Sequence, residues 1–177
     1  MTEDLVVLVD DDGRPVGTAP RLTVHGPDTP LHLAFSCHLV DADGRMLMTR
    51  RALGKKTWPG VWTNSFCGHP RPGEDIEAAV HRYADRELGL EIADVRCVLP
   101  DFRYRAVDAS GVVEYEVCPV YVATPVGEPR LNPDEVMEVA WAPIDDIWTV
   151  AERTPWAVSP WLVDQVRALG APANAYS

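Results

Sequence analysis

The sequence predicts one α/β domain in which helices cover a mixed β-sheet. The chain has 177 residues, of which 46% are hydrophobic, and this length fits a single domain with a sizeable core. β-rich runs that flank Asp- and Gly-containing turns alternate with helical patterns, and this interspersion favours antiparallel hairpins packed under helices. No linker, repeat or low-complexity segment interrupts residues 1–177, so the whole chain is predicted to be one domain.

Strand positions follow from β-rich runs bounded by turn residues. The turns at residues 41–44 and 108–111 are each predicted to close a hairpin, pairing the runs on either side. Pro119 lies inside one run and indicates a bulge or an edge position, because proline cannot donate to a ladder. The predicted strands are residues 5–9, 33–40, 45–50, 102–107, 112–122 and 137–142, and the predicted helices are residues 74–88, 144–152 and 160–169.

Composition excludes several classes of protein. The formal net charge of −11 argues against nucleic acid and anionic membranes as partners. No apolar run approaches the ~18 residues of a membrane span, and the acidic N-terminus lacks a secretory signal pattern. Cys37, Cys67, Cys97 and Cys118 are too sparse for a disulfide framework. We therefore expect reduced thiols in a cytoplasmic protein with no membrane insertion.

The basic residues are unusually concentrated for so acidic a chain. Arg50, Arg51, Lys55 and Lys56 fall within seven residues, and the two lysines are the only ones in the sequence. One interpretation is a solvated basic loop. The alternative is a docking site for a small polyanion such as a diphosphate, for which Arg offers a bidentate fork and Lys a point charge.

The first predicted helix contains one carboxylate in an unfavourable position. Ile76, Val80 and Tyr83 define the core-facing stripe, and Glu87 falls on that stripe. Glu87 also lies in the last turn before the capping Gly89, where the helix dipole disfavours negative charge. Either a salt bridge to a neighbouring Arg or a bound divalent ion would compensate it.

Further polar residues are typical of a reaction centre. On a strand, Glu114 and Glu116 point to one face, where they repel unless a cation or proton lies between them; a solvent-exposed face is the alternative. His25, His32 and His69 would complete a set of nitrogen and oxygen ligands suited to Mn²⁺ or Mg²⁺, with Zn²⁺ possible. Cys67 lies two residues before His69 in the stretch TNSFCGHP at residues 63–70. His38 and His81 are interpreted as structural.

The loop and helix after Cys67 carry the spaced set Gly68-x5-Glu74-x7-Arg82-x4-Glu87-x-Gly89-Leu90. This set resembles a degenerate Nudix box, the signature of enzymes that act on diphosphates. The family pattern has Glu where this chain has Tyr83, and a Glu pair whose first member is replaced here by Arg86. Only Glu87 therefore remains of the carboxylates that usually gather metal ions for hydrolysis.

Longer strings carry a closer resemblance over nearly the whole chain. They are LHLAF (31–35), TRRAL (49–53), WPGVWTNS (58–65), CGHP (67–70), PDFRYR (100–105), EYEVCP (114–119), TPWA (154–157) and SPW (159–161). These strings resemble the type I isopentenyl-diphosphate isomerase family, a branch of the Nudix superfamily. The resemblance implies a Nudix-like mixed β-sheet between helices, with a catalytic core at about residues 30–165, and it weakens after Leu169.

The resemblance also implies a role for individual residues. One divalent ion, Mn²⁺, Mg²⁺ or Zn²⁺, would be held by His25, His32, His69, Glu114 and Glu116, and a second, Mg²⁺, by Glu87. The diphosphate would contact Arg51 and Lys55, with Arg21 and Arg82 as additional contacts. Cys67 and Glu116 would be the acid–base pair, with Tyr104 bonded to Glu116 and Trp161 lying against the reacting carbons.

The chemistry implied is a double-bond shift in a five-carbon diphosphate through a tertiary carbocation. One group protonates the alkene and another removes a proton, while an aromatic face stabilises the cation and water is excluded. Glu116 is the favoured proton donor and Cys67 the favoured base, although the sequence does not order them. A Nudix hydrolase and a non-enzymatic metal- or thiol-binding protein are the alternatives, and the oligomeric state is open between monomer and homodimer.

Overall fold

The structure is a computed structural model that describes residues 4–172 and Tyr176. Its described part contains three α-helices, α1 (Ile76–Leu88), α2 (Ile144–Arg153) and α3 (Pro160–Leu169), and a 3-10 turn at Pro155–Ala157. Its strands are β1 (Leu5–Val9), β2 (Pro15–Pro20), β3 (His32–Leu33), β4 (Phe35–Leu39), β5 (Arg45–Arg51), β6 (Trp62–Thr63), β7 (Phe66–Gly68), β8 (Glu91–Leu99), β9 (Arg103–Val107), β10 (Val113–Val117), β11 (Val120–Val126) and β12 (Val136–Pro143).

These strands form three sheets with both parallel and antiparallel pairs. The orders are β2-β1-β3-β10-β9, β7-β4-β11-β8 and β12-β5-β6. The β10–β3 and β11–β4 pairs are parallel, and the remaining neighbours are antiparallel. The predicted mixed α+β architecture is confirmed. No helix within residues 4–172 is both long and apolar enough to cross a membrane.

Two apolar cores join the helices to the sheets. The stripe of α1 that includes Val80 and Tyr83 packs on β4 through Phe35, as its periodicity predicts. Helices α2 and α3 pack on β5, where Met46 and Leu162 are fully buried. The three predicted helices are confirmed to within two residues at each end, and α1 begins after Asp75, whose side chain accepts from the N–H of Ala78 at 3.2 Å.

The first predicted hairpin is wrong beyond its turn. Asp41 Oδ1 accepts from the backbone N–H of Arg45 at 2.9 Å, which closes the turn. After one bridge between Val40 and Met46, however, β4 and β5 enter different sheets. The physical reason is burial, because every residue of β4 is buried and its two edges pair with β7 and β11 instead.

The second predicted hairpin, β9 with β10, is confirmed, with Val107 opposite Val113. The run at residues 112–122 is not one strand, because it divides at Cys118 and Pro119 and its second half, β11, joins another sheet. Pro119 therefore lies between two strands and is neither a bulge nor an edge residue.

Sequence patterning also missed several strands, β8 above all. Its residue Asp94 has φ +53°, and its pairing with β11 shifts register between Val122 and Thr124. This irregularity interrupts the two-residue alternation that identifies a half-buried strand. The exposed β2 and the two- to three-residue β6 and β7 were not predicted for the same lack of a pattern.

Candidate active site

Most of the predicted site residues line one cavity of about 440 Å³. Strand pairing brings them there from distant parts of the chain. Glu116 on β10 lies opposite His32 on β3 and opposite Tyr104 on β9. Cys67 on β7 enters from another sheet, opposite Ser36 on β4. The predicted residues in the lining are Arg21, His25, Arg51, Lys55, Cys67, His69, Glu87, Tyr104, Glu114, Glu116 and Trp161.

Three imidazoles and one carboxylate converge at one end of the cavity. Ligand atoms of His25, His32, His69 and Glu116 all lie within 4.8 Å of one another. Glu116 Oε1 is 3.1 Å from His69 Nε2, 3.3 Å from His32 Nε2 and 3.8 Å from His25 Nε2. The predicted fifth ligand, Glu114, lies just outside this group, with Oε2 3.0 Å from His25 Nε2.

The donor set of this cluster suits a divalent metal ion. His32 Nδ1–H donates to Pro30 O at 2.8 Å, so Nε2 presents a lone pair 3.2 Å from the Nε2 of His69. Burial lowers the pKa of His69, which keeps that ring neutral. Neutral imidazoles and a carboxylate are the ligands that Zn²⁺, Mn²⁺ and similar ions take in proteins, and this cluster can therefore hold such an ion.

Carboxylate charge dominates the remaining electrostatics of the cluster. Burial by itself would lower the pKa of His25, but its interactions with the carboxylates of Glu114 and Glu116 outweigh burial and raise that pKa to about 9, so a metal ion would have to displace this proton to use His25 as a ligand. Burial likewise acts to raise the pKa of Glu116, yet its bonds to the three histidines hold that pKa well below the usual range. Glu116 is accordingly ionised and available to a cation.

Cys67 is held by polar groups rather than by charge. Its Sγ lies 3.1 Å from Ser36 Oγ and 3.4 Å from both Oδ1 and Nδ2 of Asn64. Burial raises the pKa of Cys67 to about 12, so the thiol is protonated in the protein as described. Neither Ser36 nor Asn64 was identified from the sequence as a site residue, although Asn64 stands within the TNSFCGHP stretch.

Aromatic side chains pack beside the thiol and the carboxylate. Tyr104 O–H donates to Glu116 Oε2 at 2.9 Å, and its ring lies 5.8 Å from that of Trp161. Trp161 is 1% exposed and donates its Nε1–H to Asn64 Oδ1 at 3.0 Å. Trp58 meets it edge-on at 5.3 Å. These rings make this part of the site apolar and π-rich.

Basic side chains also line the cavity. Arg51 donates twice to Thr57 O, at 2.8 and 3.0 Å, and its guanidinium lies 5.4 Å from the Trp161 ring. Lys55 hydrogen-bonds with Glu135, a residue that the sequence analysis did not single out. Of the two interpretations of the basic loop, this placement favours an anion site for Arg51 and Lys55, whereas Arg50 turns outward to Glu138 at 2.6 Å.

The other predicted contacts have different positions. Arg21 lines the cavity and bonds Asp4 at 2.5 Å. Arg82 is not in the lining: it makes two bonds to Glu74, at 2.8 and 2.6 Å, and one to His69 O at 3.1 Å. In the structure Arg82 supports the backbone of His69, and its role as a diphosphate contact stays a prediction. Glu87 is buried, which raises its pKa, and the nearest cation is Lys55 at 3.8 Å instead of an arginine.

Thr57 connects Arg51 to Glu114, the carboxylate beside the histidine cluster. Its hydroxyl donates to Glu114 Oε1 at 2.5 Å and accepts from Arg51 Nη2 at 2.8 Å. Its side chain is 4% exposed. An anion bound to Arg51 would thus be coupled through one hydroxyl to the carboxylate beside the histidine cluster.

Comparison with known proteins identifies the class. The NUDIX domain family matches residues 30–162, three quarters of the chain, so this is a Nudix-type domain. A solved structure from Deinococcus radiodurans has the same fold, with a TM-score of 0.70 at 20% identity over 93% of this chain and 98% of that one. A MutT NUDIX hydrolase from Burkholderia pseudomallei matches with a TM-score of 0.52 and 30% identity, over 65% of this chain and 84% of its own.

Relatives of higher identity narrow the class to one branch. The "Isopentenyl-diphosphate Delta-isomerase" of Frankia alni is 62% identical over 97% of this chain and 89% of its own length. Proteins of the same name from Agromyces mediolanus and Clavibacter michiganensis are 60% and 58% identical, over 94% and 98% of this chain and 81% and 90% of theirs. The chain therefore belongs to the isopentenyl-diphosphate Delta-isomerase family.

Proposed function

We propose that this protein interconverts isopentenyl diphosphate and dimethylallyl diphosphate. The observation that carries the proposal is that a thiol, Cys67, and a carboxylate, Glu116, line one cavity together with aromatic rings and basic side chains. The relatives named for this reaction support it. The reaction conserves composition, because one proton is added at the terminal methylene carbon and one is removed from C2.

Each group of residues has a task in this reaction. Arg51, Lys55 and Arg21 bind the diphosphate, which places the five-carbon chain toward Cys67 and Glu116. Trp161 presents its π-face to the tertiary cation, worth roughly 2 kcal/mol when desolvated. The buried rings of Tyr104 and Trp161, backed by the partly buried Trp58, keep water from the cation.

The proton transfers fall to Cys67 and Glu116, with Tyr104 as the O–H donor beside Glu116. The sequence-based hypothesis made Glu116 the first donor and Cys67 the base. A protonated thiol and an ionised carboxylate in the described protein favour the reverse order, with Cys67 donating and Glu116 accepting. Either order leaves the pair ready for the reverse reaction after one turnover.

Metal ions would complete the site. The ion held by His25, His32, His69, Glu116 and the adjacent Glu114 would be Mn²⁺, Mg²⁺ or Zn²⁺, and it would supply positive charge that favours the ionised form of Glu116. Glu87 would hold Mg²⁺ next to the diphosphate, where its raised pKa falls once a cation is bound. We further propose that the enzyme acts in the cytoplasm in isoprenoid biosynthesis, as a monomer or homodimer.

A Nudix hydrolase is the rival function, and α1 argues against it. At the two positions where the Nudix pattern has additional acids, Tyr83 packs on Phe35 at 5.5 Å and Arg86 lies 3.4 Å from Glu135. Helix α1 therefore presents only Glu87 to the cavity as an acid. A single helix carboxylate is poorly suited to gathering the metal ions of a hydrolytic site.

The proposal is tested by incubating the purified protein with isopentenyl diphosphate and Mg²⁺ and following the products by proton NMR. Dimethylallyl diphosphate should form, and in D₂O it should carry solvent deuterium because both protons pass through exchangeable groups. Cys67→Ala should lose nearly all turnover, whereas Cys97→Ala, at an exposed thiol outside the cavity, should keep it. Release of inorganic phosphate without an allylic product, or full activity of Cys67→Ala, would contradict the proposal.

Deuterium exchange in the variants separates the two orders of proton transfer. A Cys67→Ala protein that still exchanges the terminal methylene hydrogens of unreacted isopentenyl diphosphate retains its donor, which assigns that role to Glu116. If Glu116→Gln exchanges those hydrogens and Cys67→Ala does not, Cys67 is the donor. Mass spectrometry of recovered substrate gives the answer independently of net isomerisation.

A further inference from the structure

Behind Cys67, on the side away from the cavity, lies a chain of buried polar side chains that the proposed reaction does not use. Gln165 Nε2 is 2.8 Å from Ser36 Oγ, and Ser36 Oγ is 3.1 Å from Cys67 Sγ. At the other end, Gln165 Oε1 is 2.9 Å from His38 Nε2. Ser36, His38 and Gln165 are each 0% exposed. Such groups are costly to bury, so their arrangement calls for a physical reason.

The amide of Gln165 turns its nitrogen to Ser36 and its oxygen to His38, and this orientation sets the direction of the bonds in the chain. Burial lowers the pKa of His38 to about 4, so the ring is neutral and carries one hydrogen. That hydrogen is on Nε2, facing the amide oxygen of Gln165, while Nδ1 accepts from Tyr176 O–H at 2.7 Å. The Gln165 amide nitrogen has only hydrogens to offer and therefore donates to Ser36 Oγ.

Ser36 is left with one hydrogen and two sulfur neighbours. The Cys118 thiol donates to Ser36 Oγ at 3.6 Å, so the Ser36 hydrogen goes to Cys67 Sγ, the closer sulfur at 3.1 Å. Asn64 Oδ1, the other acceptor near this thiol, already accepts from Trp161 Nε1 and from Thr63 Oγ1, at 3.0 and 2.8 Å. The Cys67 thiol hydrogen has a longer contact to that oxygen, at 3.4 Å, as a third donor, and it is otherwise free to turn to the cavity side.

We propose that Gln165 and Ser36 are positioning residues that hold Cys67 as a hydrogen-bond acceptor and turn its own hydrogen toward the substrate. His38 fixes the orientation of the Gln165 amide and so the polarity of the chain. The role rests on the proposed isomerase activity, in which Cys67 exchanges a proton with the substrate. Ser36 and Gln165, which carry no local signal for function in the sequence, thus acquire a role.

Ser36→Ala and Gln165→Met test this role, with Val166→Ala as the matched control. Val166 is buried on the same helix but in a different core, so its truncation costs stability without touching the chain. Ser36→Ala and Gln165→Met should each lower kcat about tenfold and leave KM within about twofold of the wild-type value. This is the effect of one misdirected hydrogen bond at a reacting group. Val166→Ala should lower Tm and leave kcat unchanged.

The kcat of the double variant shows whether Ser36 and Gln165 position Cys67 or only stabilise the fold. Because both residues act through one bond to Cys67, the double variant should lose no more kcat than the worse single one. Where Gln165→Met does not fold, Ser36→Ala and the hydroxyl-retaining Ser36→Thr decide the matter, with activity kept in the latter only.

The infrared S–H stretching band of Cys67 gives a readout that needs no turnover. The band is isolated by subtracting the spectrum of the same protein with Cys67→Ala, and it should shift in Ser36→Ala and Gln165→Met but not in Val166→Ala. Wild-type kcat in both chain variants, an unmoved S–H band, or an equal kcat loss in Val166→Ala overturns the inference. A wild-type protein without isomerase activity would refute the proposed function instead, whatever the band shows.

Discussion

Gly68→Ala is the substitution that should perturb the site most for the fewest added atoms. Gly68 stands between Cys67 and His69, and a Cβ there would lie 2.6 to 2.7 Å from three ring atoms of Tyr83. That ring has little room to move, since it is 3% exposed and packs on Phe35 at 5.5 Å. Strand β7, which bears Cys67, and the following residue His69 must then move away from α1.

The size of the effect follows from these contacts. Restoring an ordinary separation of 3.4 Å requires a displacement of about 0.8 Å, and misplacing a reacting group by about 1 Å costs on the order of 100-fold in rate. Overpacking costs about 1–3 kcal/mol. For a chain of this length that corresponds to a Tm lower by about 2–12 °C.

NMR turnover assays and calorimetry measure both effects. Gly17→Ala is the control, because its Cβ would meet Leu8 Cδ1 at 3.8 Å, an ordinary contact. Replacing the ring as well, in Gly68→Ala/Tyr83→Leu, should recover part of the lost rate by making room for the added methyl group. Wild-type kcat and Tm in Gly68→Ala would refute the reasoning, and so would a double variant no better than the single one.

Three further predictions concern metal, substrate and pH. His69→Ala or thorough chelation should abolish turnover and lower Tm together, because metal binding to the folded state is lost; full activity of demetallated protein would count against the site. Arg51→Ala and Lys55→Ala should raise KM about tenfold or more with a smaller effect on kcat, and a fall in kcat at unchanged KM would place the diphosphate elsewhere. The pKa of His38 is lowered to about 4 in the folded protein, so between that value and about 6.5 only the unfolded chain binds the proton. Stability should therefore fall by roughly 3 kcal/mol as pH drops through this window, and urea midpoints at about pH 7 and 4.5 should show a smaller fall in His38→Leu.

Sequence signals that act within a few residues, such as helix periodicity, caps and turns, predicted their elements correctly. The stripe of α1 and its capping Gly89 predicted a helix whose end is confirmed at Leu88, and the Asp108 turn predicted the β9–β10 hairpin. The Asp41 turn also forms, but its flanking strands part because each finds better-buried partners far along the chain. Turn chemistry acts over four residues, whereas the choice of partner strand depends on which edges the core leaves available.

The sequence by itself determined which chemistry-bearing residues are available and, through adjacency, that Cys67 lies beside His69. It also showed that Arg51 and Lys55 are close along the chain. Only the tertiary structure decided that Glu116 faces His32, since that follows from parallel pairing of two strands about 80 residues apart. Burial then selected the supporting groups, Ser36 and Gln165 among them, because a polar side chain enclosed by a core is costly unless it is hydrogen-bonded. Its partner is a neighbour in space with no signature in the sequence around it.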